Sequence, residues 1–308
     1  MTKRIIITTI IYVLSTTFLC AQNNFQQNNT YESVIVTPDV LYGNKNGTTL
    51  TMDVYQPLVQ NGAAVLFINS GGFYSPFVPK QYNSNQSLPA DNKLNYTFIK
   101  KEEFNAPAFM QQFSFQDLLK AGYAVFDIHH SSAPTFKLDE IVVDCELALD
   151  SVIKYANSFN IDPNRLGIWG ASSGGYLAAY VGFKLHNKIK SIVLYYPAGY
   201  DFLKYPNLKL VLPSLKLKDE TLKNLSLYNY IASSDPPTLI MYGEQDSAFI
   251  KGPSERIFKD LDRLGVKTKL IKYSDVGHIW RGNDGKYNYE ISNKAMKELI
   301  KWFDKYSK

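Results

Sequence analysis

The chain has few of the residues that form disulfide frameworks and metal sites. Its 308 residues include two cysteines and four histidines. Cys20 lies in a segment with the features of a removable leader, so Cys145 has no internal disulfide partner in the mature chain. The histidines lack the spacing of metal ligands, and no cofactor-binding fingerprint occurs. We therefore expect neither a metal nor a cofactor.

An excess of one charge and internal repeats are also missing. Thirty-three basic and 28 acidic residues give a net charge of +5, and removal of residues 1–21, with Lys3 and Arg4, leaves +3. A chain so nearly balanced is not expected to bind nucleic acid as its main partner. The length and the 45% hydrophobic content suit a globular protein of one large domain or two small ones.

The first 21 residues have the pattern of a secretory signal peptide. Two basic residues precede the apolar stretch 5–19, which is shorter than the roughly 20 residues that a membrane span needs. We predict cleavage after Ala21, a loose leader at 22–32 and export to the periplasm or beyond, with no transmembrane segment in the mature chain. Lipidation of Cys20 is the less favoured alternative, because bulky Leu19 stands where lipoprotein signals usually have a small residue.

The rest of the chain alternates between strand and helix patterns. Residues 33–43 and 47–55 predict two strands joined by a hairpin turn. Six more strands are predicted at 63–68, 123–128, 165–169, 189–196, 237–242 and 268–273. Helices are predicted before 123 and at 139–158, 254–264 and 288–306, the third ending at Gly265. This alternation indicates an α/β fold with a mostly parallel central sheet and helices on both faces.

Two stretches interrupt the alternation. Residues 74–115 and 198–230 are longer than ordinary connections, so we interpret them as insertions, of the lid or cap kind, in a single domain at 33–308. Cys145 lies on an apolar helical stripe and is predicted to be a packed residue rather than a reactive thiol.

The pattern Gly170-Ala171-Ser172-Ser173-Gly174 lies between a predicted strand and a predicted helix. A serine hydroxyl that projects from such a sharp turn requires glycine two residues before and after it, because a Cβ there would clash. In this setting the pattern predicts a nucleophile elbow, with Ser172 rather than Ser173 as the nucleophile.

Two further residues complete a catalytic constellation. Asp246 follows the strand at 237–242 and His278 follows the strand at 268–273, so serine, aspartate and histidine occur in that chain order. The carboxyl ends of parallel strands meet at one edge of a sheet, where ligands bind. His278 is predicted to take the proton of Ser172, and Asp246 to fix its tautomer. Asp275 fits a turn former, while His129 and His130 could line the pocket or belong to a loop.

An acyl-transfer site also needs hydrogen-bond donors for the oxyanion. The backbone N–H of Ser173 is one candidate. Gly71 and Gly72, directly after the strand at 63–68, are the others, because adjacent glycines let backbone N–H groups turn toward a substrate.

These segments resemble the α/β-hydrolases of the carboxylesterase group, which includes hormone-sensitive lipase-like and bacterial feruloyl and acetyl esterases. The likeness lies in the elbow segment 160–175 and the approach to the acid at 235–243, and it covers residues 47–73 and 116–306. The oxyanion loop of that group reads His-Gly-Gly-Gly, whereas here Asn69 and Ser70 replace the histidine and the first glycine. The resemblance carries the donor role to Gly71 and Gly72, and the Asn69 amide can substitute for the bracing imidazole.

The resemblance implies hydrolysis of carboxylic esters through an acyl-enzyme, on a small-molecule or carbohydrate ester. Phe73 and Tyr74, which begin a stretch rich in aromatic residues, and Trp280 are candidate substrate-binding residues that could stack on sugar or feruloyl rings, although such residues can also simply pack an inserted loop. Acylated carbohydrates are our preferred substrate class. The alternatives are a serine exopeptidase of the prolyl oligopeptidase type and a non-catalytic binding protein that kept the fold. The oligomeric state is left open.

Overall fold

The computed structural model describes residues 33–45, 47–75, 97–100 and 115–308. The predicted signal peptide at 1–21, the leader at 22–32 and most of the insertion at 74–115 lie outside the described residues.

The described strands form one nine-stranded sheet. The strands are β1 (Ser33–Lys45), β2 (Thr48–Pro57), β3 (Ala64–Ile68), β4 (Thr97–Lys100), β5 (Ala124–His129), β6 (Leu166–Ala171), β7 (Ser191–Tyr195), β8 (Thr238–Gly243) and β9 (Thr268–Tyr273). Their order across the sheet is β4-β1-β2-β5-β3-β6-β7-β8-β9. From β5 to β9 all neighbours are parallel, whereas β1, β2 and β4 join by antiparallel pairing.

Seven α-helices accompany the strands in the described part of the chain. They are α1 (Gln116–Lys120), α2 (Leu138–Lys154), α3 (Ser172–Lys184), α4 (Leu208–Val211), α5 (Asp219–Asn224), α6 (Ala248–Arg263) and α7 (Tyr289–Tyr306). Gly265, at a φ of 75°, ends α6 as predicted, and the Asn288 side chain caps α7 by accepting the N–H of Ile291 at 3.0 Å. None of the described helices has the length and apolar character to cross a membrane.

The core has two layers because successive residues of each strand face opposite sides of the sheet. In β3, Leu66 packs with α2 and α3 on one face, and Phe67 packs with α1 and α7 on the other. Strands buried on both faces read as continuous apolar runs, which is why the central strands could be located in the sequence. The prediction of a mostly parallel sheet with helices on both faces is confirmed, and Cys145 is buried in the α2 layer as predicted.

One element of the sheet was missed. The insertion at 74–115 contains β4, which pairs antiparallel with β1, so Val34 lies opposite Ile99. The insertion at 198–230 contains α4, α5 and three single turns of 3₁₀ helix between β7 and β8. Both insertions therefore contain secondary structure that the sequence patterns did not predict.

Candidate active site

Ser172 lies at the junction of β6 and α3 with a φ of 53°, in the left-handed region that side chains rarely adopt. The turn is tight enough to exclude a Cβ two residues before and after it. A Cβ at Gly170 would lie 2.1 Å from the carbonyl oxygen of Gly174, and a Cβ at Gly174 would lie 2.3 Å from that of Ile68. Both glycines are thus required by the geometry that the sequence pattern predicts.

The structure brings Ser172, Asp246 and His278 together. His278 Nδ1 is 2.8 Å from Asp246 Oδ2, and its Nε2 is 3.0 Å from Ser172 Oγ. The Asp246 side chain is only 3% exposed and the His278 side chain 35%, so solvent reaches the site from the serine side rather than through the carboxylate. The N–H of Ser247 donates to Asp246 Oδ1 at 2.7 Å, which fixes the orientation of the carboxylate.

These contacts determine which tautomer His278 adopts. An ionised carboxylate only accepts hydrogen bonds, so Nδ1 of the imidazole carries the proton that faces Asp246. Nε2 then has its lone pair directed at the Ser172 hydroxyl. This is the arrangement in which an imidazole can remove the hydroxyl proton.

Tyr196 packs behind the histidine, and the sequence analysis did not identify it. Its ring lies edge-on to the His278 imidazole, with centroids 4.9 Å apart, and 4.8 Å from the Trp280 ring. Burial raises the pKa of the Tyr196 hydroxyl, and nearby Tyr287 and Asp246 raise it further, so the ring stays neutral. Because β7 lies between β6 and β8, an aromatic residue directly after β7 was the available signal.

The loop after β3 is braced against β5. Asn69 is buried, and its Nδ2 donates to Asp127 Oδ1 at 2.6 Å and to the Ile128 carbonyl at 3.0 Å. The amide therefore ties the loop to the neighbouring strand, as expected of a substitute for the missing imidazole.

The three predicted oxyanion donors differ in their environment. The N–H of Gly71 donates to Ser173 Oγ at 3.1 Å, so it is already engaged. Gly72, at a φ of 68°, has no acceptor for its N–H among the residues that the structure describes. The Ser173 N–H lies in the first turn of α3, where the helix dipole favours negative charge. Among the described residues, the N–H groups of Gly72 and Ser173 thus have no protein acceptor, whereas that of Gly71 has one.

His130 supports the same loop rather than lining a pocket. It is buried, with Nδ1 2.7 Å from the Ser131 carbonyl and Nε2 3.3 Å from the Asn69 carbonyl. Burial lowers the pKa of His130, so the imidazole is held neutral. His129 lies 3.5 Å from Asp127 on the antiparallel side of β5. His130 therefore belongs to the bracing of the loop, while His129 lies beside the Asp127 carboxylate that Asn69 also contacts.

The predicted substrate contacts need correction. Phe73 is buried against Tyr176 and Phe202, and Trp280 is buried among the rings behind His278. Neither side chain presents surface to a substrate, because each lies in the core directly beneath the site. Tyr74 is 52% exposed, so it alone of the three has a side chain that is accessible to solvent.

This sheet, the elbow at Ser172 and the Ser-Asp-His order define the class: the chain has the α/β-hydrolase fold. The family described as BD-FAE matches residues 97–201, which include β5, β6, β7 and the elbow. The resemblance to esterases of this fold is therefore confirmed.

Solved esterase structures share the fold over most of the chain. A truncated carbohydrate esterase from gut microbiota is similar with a TM-score of 0.64 and 19% identity, over 90% of this chain and 97% of that one. Esterase 2 of Thermogutta terrifontis, phosphorylated by paraoxon, is similar with a TM-score of 0.62 and 15% identity, over 84% of this chain and 91% of that one. At these identities the likeness establishes the fold.

A curated relative is a peptidase by name. The uncharacterized peptidase YuxL of Bacillus subtilis is 28% identical over 171 residues, which make up 53% of this chain and 25% of the relative. The chain spans a quarter to a half of the length of the curated relatives it matches.

Proposed function

We propose that this chain is a serine carboxylesterase in which Ser172 is the nucleophile, His278 the general base and acid, and Asp246 the orienting carboxylate. The observation that carries the proposal is the position of the His278 imidazole, 2.8 Å from the Asp246 carboxylate and 3.0 Å from the Ser172 hydroxyl. Both distances are those of hydrogen bonds, and both partners meet the nitrogen that the chemistry requires.

In the acylation step, His278 Nε2 takes the hydroxyl proton as Ser172 Oγ attacks the ester carbonyl carbon. The carbonyl oxygen becomes an oxyanion, which the N–H groups of Ser173 and Gly72 stabilise. The imidazolium, stabilised by Asp246, then gives its proton to the departing alcohol oxygen as the ester bond breaks. The product of this step is an acyl-enzyme on Ser172 and a free alcohol.

Deacylation repeats the same steps with water. His278 Nε2 takes a proton from water as the hydroxide oxygen attacks the acyl carbon, and returns it to Ser172 Oγ as the acid leaves. Gly71 has an indirect part in both steps, since its hydrogen bond to Ser173 Oγ holds the loop against α3.

Covalent labelling tests the nucleophile directly. Paraoxon should phosphorylate the protein once, and peptide mass spectrometry should place the adduct on Ser172. The Ser172→Ala variant should take no label and hydrolyse p-nitrophenyl acetate several orders of magnitude more slowly. Ser234→Ala removes a hydroxyl from an exposed turn and serves as the control with normal labelling and rate. An adduct on another residue, or near-normal hydrolysis by Ser172→Ala, contradicts the mechanism.

Acylated carbohydrates are the proposed substrate class. The support is the likeness to a carbohydrate esterase, together with exposed Tyr74 at the end of the oxyanion loop. Acetylated and feruloylated oligosaccharides should be hydrolysed with a higher kcat/KM than the methyl esters of the same acids, whose alcohol is not activated either. Equal values would remove carbohydrate recognition from the proposal.

Export through the segment 1–21 is a further part of the proposal, supported by its basic start and short apolar stretch. Mass spectrometry of the exported protein should show an N-terminus at Gln22 with no lipid. A diacylglyceryl adduct on Cys20 would establish a lipoprotein instead.

The likeness to YuxL favours one second candidate, a serine exopeptidase. The same triad can cleave an amide, so the leaving group distinguishes the two activities. An esterase should release no detectable p-nitroaniline from aminoacyl or dipeptidyl p-nitroanilides. Saturable release of p-nitroaniline that Ser172→Ala abolishes would favour the peptidase, and a folded protein with no labelling and no turnover would favour a non-catalytic binding protein.

A further inference from the structure

A cleft of about 600 Å³ lies on the flank of the molecule, between α6 and the insertion that follows β7. Along α6 its lining runs from Gly252 in the second turn to Leu264 just past the end. The opposite wall contains Tyr200 and Tyr228. The volume is that of a small-ligand site, and the lining is polar and aromatic rather than aliphatic, which suits a polar ligand.

The cleft contains a guanidinium that is held in one orientation. Asp260, a buried residue, accepts a hydrogen bond from Arg256 Nε at 3.0 Å and another from the Tyr200 hydroxyl. The guanidinium carbon also lies 5.8 Å from the centre of the Tyr200 ring. The Arg256 side chain is nevertheless 61% exposed, so part of the guanidinium faces the solvent in the cleft. A fixed fork of this kind binds a carboxylate through two hydrogen bonds.

Positive charge exceeds negative charge in the lining. Its cationic side chains are Lys204, Arg256, Lys259 and Arg263, and its acidic ones are Asp201, Glu255 and Asp260. The acids are already engaged: Glu255 with Lys272 at 2.8 Å, Asp260 with both Arg256 at 3.0 Å and Arg263 at 3.7 Å, and Asp201 with the N–H of Leu203 at 3.0 Å. The acidic side chains of the cleft therefore do not neutralise all of its positive charge, which favours an anionic ligand.

Tyrosine rings line the same cleft. Tyr228 is exposed and lies 5.9 Å from the Tyr200 ring, while Tyr205 stands edge-on to Phe249 at 5.4 Å. Aromatic faces offer flat apolar surface, and their hydroxyl groups offer hydrogen bonds to a ligand that has both apolar faces and polar edges. A sugar ring has both, and an inorganic anion has no apolar face.

We propose that this cleft binds a carboxylated carbohydrate, with the uronate carboxylate on Arg256 and Lys259 and the sugar rings against Tyr205 and Tyr228. The site is separate from the catalytic triad, because its lining follows α6 away from Asp246, which precedes the helix. It holds an acidic chain on the flank of the domain and takes no part in the chemistry at Ser172.

Calorimetric titration tests the site in the Ser172→Ala protein, where no ligand can be hydrolysed. The ligands are an oligosaccharide that carries glucuronic acid and the neutral oligosaccharide of the same length. Arg256→Gln and Lys259→Gln should each weaken binding of the acidic ligand by about tenfold, the usual contribution of a charge-assisted hydrogen bond. Lys297→Gln removes one charge from the exposed face of α7 and should leave the affinity unchanged.

Three results would overturn the proposal. The first is equal affinity for the acidic and the neutral oligosaccharide. The second is unchanged binding in Arg256→Gln, in a protein whose circular dichroism matches that of the parent. The third is competition by inorganic phosphate as strong as that by the oligosaccharide, which would indicate an anion site without sugar recognition. With Ser172 restored, Arg256→Gln should hydrolyse p-nitrophenyl acetate normally, so failure of this site and failure of the esterase are distinguishable.

Discussion

The left-handed backbone of Ser172 should be measurable as a stability difference between two inactive variants. Ser172→Ala and Ser172→Gly both lose the hydroxyl and its contact with His278, so only the backbone preference separates them. In the folded state, a residue with a Cβ at a φ of 53° is less stable than glycine by about 1–2 kcal/mol, which disfavours the alanine variant. The greater conformational freedom of glycine in the unfolded chain lowers the stability of the glycine variant by about 0.4–1 kcal/mol and offsets part of that difference. We expect Ser172→Gly to be the more stable by about 0.5–1 kcal/mol.

For a chain of this size the difference corresponds to a melting temperature about 2 °C higher. Differential scanning calorimetry or urea unfolding measures it, with two control pairs. Asn160, at a φ of 52°, lies outside the site, and Asn160→Gly should be more stable than Asn160→Ala, as at Ser172. Lys297 lies in an ordinary helix, so Lys297→Gly should be less stable than Lys297→Ala by about 1 kcal/mol. If Ser172→Gly melts at or below Ser172→Ala while both control pairs behave as stated, the elbow is not strained.

Three further predictions concern the surroundings of the triad and the stability of the fold. Gly174→Ala places a Cβ 2.3 Å from the Ile68 carbonyl oxygen. The free energy of unfolding in urea should therefore fall by about 1–3 kcal/mol, and steady-state assays should show a lower kcat. Normal stability and normal kcat would contradict the tight turn. Asp246→Asn keeps the shape of the side chain but no longer fixes the tautomer of His278, so kcat at neutral pH should fall by about three to four orders of magnitude. An effect confined to KM would exclude the orienting role of Asp246. Burial raises the pKa of Asp235 from 3.8 to about 6, so ionisation destabilises the folded state progressively between those values and fully above them. Asp235→Asn should therefore be more stable than the parent at pH 8, by about 1–2 kcal/mol after discounting for solvent screening, and this gain should vanish at pH 3. A gain in stability that does not depend on pH would refute the raised pKa of Asp235.

The position of the triad could be predicted because its geometry follows from the topology. Ser172, Asp246 and His278 come within five residues of the ends of β6, β8 and β9, and parallel strands end at the same edge of the sheet. The glycines of the elbow could be predicted because the turn excludes a Cβ at those positions. Chain order and local sterics were therefore sufficient to assemble these residues.

The surroundings of the triad depended on packing that one sequence does not specify. Trp280 follows His278 by two residues and could have faced the substrate or the core, and the ring cluster with Tyr196 places it in the core. The N–H of Gly71 was predicted to face the substrate, but the hydroxyl of Ser173, one residue past Ser172, accepts it. The short strand β4 has only four residues and pairs with β1, which is more than 50 residues earlier, so no local pattern indicated it.

The order of the strands has a consequence for how the protein fails under stress. Ser172 follows β6, in the interior of the sheet, whereas His278 follows β9, which is the last strand of the described sheet and is hydrogen-bonded on one side only. Edge elements open at lower free energy than the interior of a fold. His278, the proposed proton carrier, therefore follows a less protected strand than Ser172, the proposed nucleophile. We expect fraying of β9 to loosen the loop that carries His278 while the interior of the sheet stays intact. Activity should then be lost at a lower temperature or urea concentration than the global fold.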